Sequence, residues 1–388
     1  MRRIALPVRR DGARGSAPAF LALLLVAAAP SIQAQTVFTA VGDSITAGTG
    51  DSVPEGPNAG YPIRLEQLLG SISIFNAGVP GERTFELLAR LDSVLARGGD
   101  AILLMEGTND LSRDSPVEAI VFNLAEIAER AEEDGFEVIH ATVIPRVPGA
   151  KTDGGNVLNR QLNQGIRDLA GREGRRLVDN FEVFSQLPNR FVDYYWDNPN
   201  DPVGHPNPTG YDVMAETFAD VLVGIDTVPP VAGSLFPDLG EEEISPNASI
   251  TVDLWDFGTG IDIASSRLLV DGVTTSAVAS GGPRGVSFFY DPPAPLSGVV
   301  EVGVRARDRA SPPHTIDRIV SRFAVIGSQF LSGDFDASGS VDDVDLVQLS
   351  RSFGAREGEL RYSPESDLDG DGIVDGVDLA ILASNYGI

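Results

Sequence analysis

The chain has 388 residues, of which 42% are hydrophobic and none is cysteine. This length predicts two or three domains with hydrophobic cores, and the missing cysteines exclude disulfides, thiolate metal sites and cysteine nucleophiles. The formal net charge of −27 argues against nucleic acid or an anionic membrane as a partner, because an acidic surface repels phosphate groups.

The N-terminal residues 1–34 have the layout of a secretory signal peptide. Five arginines precede the apolar run Phe20–Ala29, and Ala34 offers a small residue for cleavage. A membrane anchor is the alternative, but this run of about ten residues is shorter than the roughly 20 that a bilayer requires. We therefore predict a secreted or cell-surface protein that does not span the membrane. The basic residues are Arg2, Arg3, Arg9, Arg10 and Arg14.

The first predicted domain covers residues 35–225, where short apolar runs alternate with segments of helical spacing. This alternation predicts an α/β domain with a parallel sheet and helices on both faces. In such a sheet, reactive side chains collect at the carboxyl ends of the strands. The predicted strands are Val37–Val41, Ile72–Phe75, Ala101–Met105, Phe136–Ile144 and Arg176–Val178. The predicted helices are Ile63–Leu69, Phe85–Leu95, Val117–Ala131, Leu158–Leu169 and Val213–Val223.

Ser44 is the candidate nucleophile of this domain, with an ordinary turn serine as the alternative. It follows the first predicted strand in the segment VGDSITAG, so its hydroxyl is expected at the reactive edge of the sheet, and Gly42 permits the tight turn. A serine nucleophile needs a base to remove its proton, and the chain has three histidines. His140 is predicted within a strand and His314 within another domain. This leaves His205, in the loop before the last helix of the first domain.

Donors for an oxyanion are predicted in two loops of the same domain. The segment NAGVPG after the second strand offers the backbone N–H of Gly78, and MEGTND after the third strand offers the side-chain amide of Asn109. Either loop alone is a common cluster of turn-forming residues. Four such features at successive strand ends favour an acyl-transfer site, in which one oxyanion donor contributes on the order of 10²–10³ in rate.

The four segments resemble the four sequence blocks of the SGNH (GDSL) hydrolases, and the likeness covers about residues 36–224. The resemblance implies a three-layer, flavodoxin-like α/β/α fold and ester hydrolysis through an acyl-serine, with no catalytic cofactor. Ser44 would be the nucleophile, and His205 the general base and then the acid. The N–H groups of Ser44 and Gly78 and the Asn109 side chain would hold the oxyanion. The blocks are Gly42–Ile45, the loop of Gly78, Gly107–Asp110 and His205–Asn207.

The third member of the catalytic triad departs from the family pattern. The family places an aspartate three residues before the histidine, where this chain has Pro202. Asp201 stands four residues before His205, as though Gly204 had been inserted, and we predict that it orients the imidazole. Asp197 is an alternative, and so is a Ser–His dyad aided by a backbone carbonyl.

Residues 226–327 form the second predicted domain. The motif DTVPP indicates a linker, after which β-rich runs are broken by glycine, proline, aspartate and serine, as in an antiparallel sandwich. The segments NASITVDLWDFGTGID and LLVDGV resemble bacterial immunoglobulin-like modules. Because the sequence of this domain shows no catalytic constellation, a spacer is favoured over a ligand-binding module. The β-rich runs are Ala248–Leu254, Arg267–Val270, Val299–Val304 and Val320–Val325.

Residues 328–388 form an acidic tail with an internal repeat of 33 residues. Each copy is a 12-residue loop with oxygen-bearing side chains at positions 1, 3, 5, 9 and 12, glycine at position 6 and a helix afterwards. A merely solvated acidic tail would not repeat this pattern, whereas Ca²⁺ needs six to eight oxygen ligands and a sharp turn at the glycine. With position 7 included for its backbone carbonyl, the predicted ligands are Asp334, Asp336, Ser338, Ser340, Asp342 and Asp345 in the first loop, and Asp367, Asp369, Asp371, Ile373, Asp375 and Asp378 in the second.

The two loops resemble dockerin type I modules, which are small helical modules with EF-hand-like calcium sites. Such modules pair with cohesins on the scaffolds of polysaccharide-degrading systems. Loop positions 10 and 11 usually take part in recognition, and here they are Asp343-Val344 and Gly376-Val377, unlike the familiar Ser-Thr pair. The resemblance implies structural calcium and a cohesin-like partner.

These features together predict a secreted serine carboxylester hydrolase. The dockerin-like tail favours acetylated or acylated carbohydrate, such as a polysaccharide, as the ester substrate. An arylesterase, lysophospholipase or thioesterase is the alternative among SGNH enzymes, since the motifs do not separate these activities. A non-catalytic, calcium-dependent surface-assembly protein is the alternative outside enzymes, and the shifted aspartate favours it.

Overall fold

A computed structural model describes residues 36–147, 155–198, 204–326, 333–335, 341–356, 361–368 and 372–387. Within these ranges, no helix is long and apolar enough to cross a lipid bilayer. The predicted signal peptide lies outside the described residues, and so do the predicted site residues Asp201, Asp336, Ser338, Ser340, Asp369 and Asp371.

The first domain, residues 36–224, is built on a parallel sheet of five strands. These are β1 (Thr36–Gly42), β2 (Ile72–Asn76), β3 (Ala101–Met105), β4 (Glu137–Ala141) and β5 (Arg176–Val178). Their order in the sheet is β2-β1-β3-β4-β5, and every neighbouring pair is parallel. The predicted α/β fold is confirmed. We call this part of the chain the α/β domain.

The chain segments that connect the strands form helices, and these helices cover the sheet. α2 packs against α9, while α5 packs against both α3 and α6. The helices are α1 (Ser44–Ala47), α2 (Gly60–Leu69), α3 (Thr84–Leu95), α4 (Thr108–Leu111), α5 (Val117–Glu133), α6 (Gly155–Glu173), α7 (Asn180–Gln186), α8 (Arg190–Asp193) and α9 (Pro208–Val223).

β1 is the point at which the strand order of the sheet changes direction, and this change determines where the site lies. β2 lies on one side of β1 and β3 on the other, so the loops that follow β1 and β3 diverge and leave a crevice at their carboxyl ends. Ser44 follows β1, Gly78 follows β2 and Asn109 follows β3. Because β3 is buried along its whole length, the loop after it is held firmly at this edge.

The predicted strand over residues 136–144 is too long. β4 ends at Ala141. The Thr142 N–H still donates to the Val178 carbonyl of β5 at 3.0 Å, but the backbone of Val143 bonds to a side chain instead of a strand. The Val143 N–H donates to the Asn163 side chain at 2.9 Å, and the Asn163 amide donates back to the Val143 carbonyl at 2.9 Å. An asparagine on α6 therefore replaces the neighbouring strand as hydrogen-bonding partner.

Residues 231–325 form a sandwich of two antiparallel four-stranded sheets, as predicted. Its strands are β6 (Val231–Phe236), β7 (Ile250–Trp255), β8 (Arg267–Val270), β9 (Val273–Thr274), β10 (Val278–Gly282), β11 (Gly285–Tyr290), β12 (Val299–Arg307) and β13 (Thr315–Ala324). The sheet orders are β10-β11-β7-β6 and β13-β12-β8-β9. Alternate residues of β7 and β12 point into one apolar core. The immunoglobulin-like character of this sandwich stays a prediction.

The sandwich packs directly on helix α6 of the α/β domain. The Trp255 indole N–H donates to Asp168 at 2.7 Å. A Cβ atom at Gly171 would lie 2.4 Å from the Trp255 ring, so only glycine allows the ring to approach this closely. Arg318 donates to both carboxylate oxygens of Glu182, at 2.9 and 3.1 Å. Both domains thus supply polar and apolar groups to one interface.

The described part of the C-terminal tail contains two helices, α10 (Asp343–Ser352) and α11 (Gly376–Ser384). Each follows one copy of the predicted loop. Asp342 and Asp375 cap these helices with equivalent hydrogen bonds, which matches the internal repeat. A small apolar core holds the two halves together and contains Phe335, Val341, Leu349, Val374 and Leu382.

Candidate active site

The segment around Ser44 turns sharply from β1 into the short helix α1. The Asp43 side chain caps this helix by accepting the Ile45 N–H at 2.8 Å. A Cβ atom at position 42 would lie 2.2 Å from the Met105 carbonyl oxygen of the neighbouring strand, so Gly42 lets the two strand ends approach. The Ser44 side chain therefore projects from the carboxyl edge of the sheet, as the sequence predicts.

His205 lies in the loop that leads into α9, and hydrogen bonds fix this loop both at His205 and at the residues that follow it. Its carbonyl accepts the Trp196 N–H at 2.8 Å, so the loop pairs with the segment after α8. Two residues further on, the Asn207 side chain caps α9 by accepting the Gly210 N–H at 3.0 Å. The imidazole thus projects from a loop whose backbone is fixed by a short ladder and by a helix cap.

The structure brings Ser44 and His205 together. His205 Nε2 lies 2.8 Å from Ser44 Oγ, and each residue is 7% exposed. His140 is instead buried in β4, where burial lowers its pKa to about 3. His314 lies in the sandwich next to Asp308. Among the three histidines, only His205 contacts the candidate nucleophile.

Gly78 lies beside the nucleophile segment, but its N–H already has an acceptor. It donates to the Asn76 side chain at 3.0 Å. A Cβ atom at Gly78 would lie 2.4 Å from the Ala47 backbone nitrogen, so the residue must be small to let α1 pack there. Gly81 lies three residues further on, and its N–H donates no hydrogen bond to any described residue. The sequence alone could not separate these glycines, because the Asn76 contact depends on loop conformation.

Asn109 is buried at the start of α4, and its amide connects two loops. Its nitrogen donates to Asp43 Oδ2 and to the Glu82 carbonyl, each at 3.0 Å. Both amide hydrogens therefore have acceptors, so an oxyanion would have to share one of these hydrogens with its present acceptor. These bonds link the nucleophile segment to the loop between β2 and α3.

Buried carboxyl groups surround this crevice. Burial raises the pKa of Asp43 to about 6, although the Ile45 N–H and His205 oppose the rise. Burial also raises the pKa of Glu106 well above its usual range, and the charge of Asp43 adds to the effect. These groups therefore hold their protons more strongly than exposed carboxyls do.

Asp110 has a structural contact that the sequence analysis missed. Its carboxylate accepts the Thr84 N–H at 2.9 Å and the Thr84 hydroxyl at 2.7 Å. Thr84 is the first residue of α3, so Asp110 satisfies a free donor at the start of that helix. The partners are 26 residues apart, and no local sequence signal announces such a pairing.

The third triad member stays a prediction, since Asp201 lies outside the described residues. Asp197, the alternative, is exposed. Gly204 has a positive φ of 75°, and a Cβ atom there would lie 2.4 Å from the Val147 side chain. Glycine is therefore required by the path of the loop immediately before His205.

Residues 40–213 match the model of the GDSL-like Lipase/Acylhydrolase family. This part of the chain is a GDSL-like domain. Residues 332–385 match the model of the dockerin type I domain. The two matches correspond to two of the three resemblances that the sequence motifs indicate, those to the SGNH (GDSL) hydrolases and to the dockerin type I modules.

Other proteins are similar to the GDSL-like domain. Esterase TesA of Pseudomonas aeruginosa is 33% identical over 118 residues, which are 30% of this chain and 58% of that relative. This chain thus spans somewhat more than half the length of the curated relative that it matches. A putative lipolytic G-D-S-L protein of Desulfitobacterium hafniense has a TM-score of 0.40 at 22% identity, covering 48% of this chain and 99% of that one. Axe2, an acetylxylan esterase of Geobacillus stearothermophilus, has a TM-score of 0.40 at 21% identity, covering 48% and 94%.

The described residues of the two predicted calcium loops have an ordered arrangement. The position-12 residues Asp345 and Asp378 are fully buried, and each carboxylate accepts backbone N–H groups from the start and from position 9 of its own loop. Each carboxylate oxygen has a second lone pair, so these bonds leave room for a cation. Asp367 Oδ2 accepts the Gly372 N–H at 2.7 Å, which closes the second loop at its position-6 glycine. The donor set is all oxygen, which suits Ca²⁺.

Proposed function

We propose that the GDSL-like domain is a serine carboxylester hydrolase. The observation that carries this proposal is the 2.8 Å contact between Ser44 Oγ and His205 Nε2 in a crevice at the carboxyl edge of the sheet. The family match over residues 40–213 supports it independently of that distance. A turn serine with a structural role would not need an imidazole as its hydrogen-bonding partner.

His205 acts as the general base in the proposed reaction. As Ser44 Oγ attacks the ester carbonyl carbon, Nε2 takes the hydroxyl proton and then gives it to the departing alcohol. The acyl group remains on Ser44 as an ester. A water molecule then attacks this ester while His205 takes one of its protons. His205 gives this proton to Ser44 Oγ as the bond to the acyl group breaks, which releases the carboxylic acid and restores the Ser44 hydroxyl. Because both side chains are largely buried, the proton transfer is shielded from bulk water.

The oxyanion is held by donors from three loops. The Ser44 N–H lies at the start of α1, and the Asn109 amide lies after β3. The loop after β2 supplies a third donor, for which Gly78 and Gly81 compete. Gly81 has the advantage that no described acceptor occupies its N–H, and the adjacent Glu82 is already tied to Asn109. Asp201 orients His205, with Asp197 or a backbone carbonyl as the alternatives.

Acylated carbohydrate is the proposed substrate class. The support for it is the dockerin type I domain at residues 332–385, since modules of this kind pair with cohesins in polysaccharide-degrading systems. We propose the same role here, with calcium held by the two loops and a cohesin-like partner. The proposed divisions are a signal peptide at 1–34, the hydrolase domain at 35–225, the immunoglobulin-like sandwich at 226–327 and the dockerin domain at 328–388. The protein is accordingly secreted.

An active-site label tests the proposed chemistry. A fluorophosphonate reacts with activated serines, so we expect the wild type to be labelled and Ser44→Ala to be unlabelled. His205→Ala is expected to react far more slowly. Ser52→Ala removes an exposed serine of the same loop and is the control, which should react like the wild type. Equal labelling of Ser44→Ala and the wild type would exclude the proposal.

A substrate panel tests the proposed specificity separately. The wild type and Ser44→Ala are each assayed with four substrates: acetylated xylan, acetylated pectin, p-nitrophenyl acetate and long-chain acyl esters. The proposal expects release of acetate from a polysaccharide at a higher kcat/KM than hydrolysis of long-chain esters. A preference for long acyl chains would contradict the carbohydrate assignment while leaving the serine mechanism intact.

A further inference from the structure

A group of acidic residues and one histidine lies where the GDSL-like domain leaves α9 and enters the sandwich. Asp226 follows the end of α9, while Asp308 and His314 flank the loop between β12 and β13. One donor atom from each of these three residues lies within 4.8 Å of the other two. In a tetrahedral site with bonds of about 2.1 Å, the donor atoms lie about 3.4 Å apart, so movements of up to about 1.4 Å close this set around one ion.

The two aspartates are oriented by further contacts. Asp226 Oδ2 accepts the Thr259 N–H at 2.6 Å and the Thr259 hydroxyl at 2.7 Å. Asp308 Oδ1 accepts the His314 N–H at 2.8 Å. Outer contacts to backbone N–H and hydroxyl groups fix metal-binding side chains in advance of the ion. Asp308 Oδ2 itself lies 2.6 Å from His314 Nδ1, so these two donor atoms are already adjacent.

Asp256 supplies the observation that separates this group from a chance cluster. It is 3% exposed, and its Oδ2 is buried without any hydrogen-bond partner. Its Oδ1 accepts the N–H groups of Gly258 and Gly260, which flank the residue that binds Asp226. Burial raises the pKa of Asp256 to about 6, and the charges of Asp226 and Asp308 contribute to the rise. The Asp256 carboxyl therefore lies close enough to Asp226 and Asp308 to be affected by their negative charges.

Apart from His314, which forms an ion pair with Asp308 when its ring is protonated, the described residues provide no cation that balances this charge. No arginine or lysine within the described ranges forms an ion pair with Asp226, Asp256 or Asp308. The neighbouring Arg307 instead pairs with Asp262 at 2.8 Å. Buried carboxylates without a counter-charge are costly, and bound metal ions are a common way of offsetting them.

We propose that Asp226, Asp308 and His314 bind a divalent transition-metal ion that joins the GDSL-like domain to the sandwich. The ion takes the place of the proton between Asp308 Oδ2 and His314 Nδ1, and Asp256 adds negative charge beside it. The imidazole nitrogen favours an ion of the zinc class over Ca²⁺, which prefers oxygen ligands alone. The site is separate from the proposed calcium loops and takes no part in ester hydrolysis.

Zinc titration of the full chain tests the proposal. The parent is His205→Ala in excess Ca²⁺, so that the dockerin loops are filled. His314 is then the remaining histidine with an accessible ring, because its side chain is 33% exposed whereas His140 is buried. Calorimetry is expected to show one saturable Zn²⁺ site per chain. Absence of saturable binding by the parent overturns the proposal.

Two variants of this parent locate the site. His314→Ala removes the nitrogen ligand, and Asp226→Asn keeps an oxygen that can accept the Thr259 bonds, so the loop should stay folded. Each is expected to weaken Zn²⁺ binding at least tenfold. Asp317→Asn is the control, since it removes an exposed carboxylate of β13 that pairs with Arg305, and it should bind like the parent. Tight binding that survives in either His314→Ala or Asp226→Asn overturns the proposal.

Discussion

Asp43 is the side chain that most directly couples the nucleophile segment to its surroundings. One oxygen caps α1 through the Ile45 N–H, and the other accepts the Asn109 amide. Its position next to Ser44 therefore serves two loops at once. The cost is a buried carboxyl group whose ionisation is opposed by its environment.

Asp43→Asn is expected to change how stability depends on pH. The folded-state pKa of about 6 exceeds the ordinary value of 3.8, so the folded state binds the Asp43 proton more tightly than the unfolded state does. This contribution to stability is complete below about pH 4 and is lost as pH rises through 6, by up to about 3 kcal/mol. The unfolding free energy of Asp43→Asn minus that of the wild type should therefore increase by that amount from pH 4 to pH 7.

Urea titrations followed by circular dichroism at 222 nm measure this difference, because most helices belong to the GDSL-like domain. Ile45→Val is the control next to Asp43. It should cost about 0.5–1.5 kcal/mol at every pH, since it removes only a methylene group. A difference between Asp43→Asn and the wild type that does not change with pH would contradict the raised pKa.

The residues of the site differed in how far sequence could predict them. The contact between Ser44 and His205 could be predicted, because strand order limits which loops share an edge and the chain has three histidines. The acceptor of the Gly78 N–H could not be predicted, because it is the side chain of an asparagine two residues earlier in a loop of irregular conformation. The Asp110–Thr84 pair also escaped prediction, since its two loops meet only in the folded sheet.

At the scale of elements, the start of α9 fixes the position of the imidazole. The Asn207 side chain accepts the Gly210 N–H, and its amide donates to the carbonyls of Asp193 and Tyr195 at 2.9 and 3.1 Å. The Asn207 side chain thus caps α9 and also links the loop of His205 to the segment at the end of α8 by hydrogen bonds.

Substitutions at Asn207 separate these two tasks. Asn207→Ala should destabilise the fold by about 1–2 kcal/mol through loss of the helix cap, and should lower kcat because the His205 loop is released. Asn207→Ser restores a cap acceptor but not the two donors. It should recover most of the stability while kcat stays low. Thermal unfolding and esterase kinetics make the comparison, and full recovery of kcat by serine would show that the donors are dispensable.

Elements with strong periodicity were the ones that sequence predicted. Strand β3 and helix α5 begin where the sequence predicts, because buried strands and amphipathic helices have clear patterns. Helix α7 was missed, since it is short and its polar residues Asn180 and Glu182 are buried. Strand β10 was missed as well, because VASGG has little β propensity and pairs only with β11 at a sheet edge.

At the scale of the whole molecule, the contact between helix α6 and the sandwich makes their stabilities interdependent. Trp255→Phe keeps the apolar ring but removes the donor to the largely buried Asp168 carboxyl. We expect a loss of about 1–3 kcal/mol, seen as a lower midpoint of thermal unfolding. Trp196→Phe is the matched control, because Trp196 is half exposed and lies in the loop near His205. An unchanged midpoint for Trp255→Phe would argue against a coupled interface.

Removal of calcium should affect only the dockerin domain. Chelation by EGTA is expected to unfold the two loops, because their carboxylates repel one another without a cation. Proteases should then cut within residues 328–388 of the full chain, while hydrolysis of p-nitrophenyl acetate is retained. Resistance of the tail in EGTA, or loss of activity together with the tail, would contradict this separation.

The packing of Trp255 on α6 also bears on how this protein can be divided by genetic engineering. A gene fragment that stops at residue 225 would leave the groove at Gly171 open to water and Asp168 without its indole and Ser234 donors. Such a fragment would expose an apolar, partly charged strip on the surface of the GDSL-like domain. Recombinant shortening, or natural transfer of this domain into new multidomain proteins, should therefore keep the sandwich attached to it.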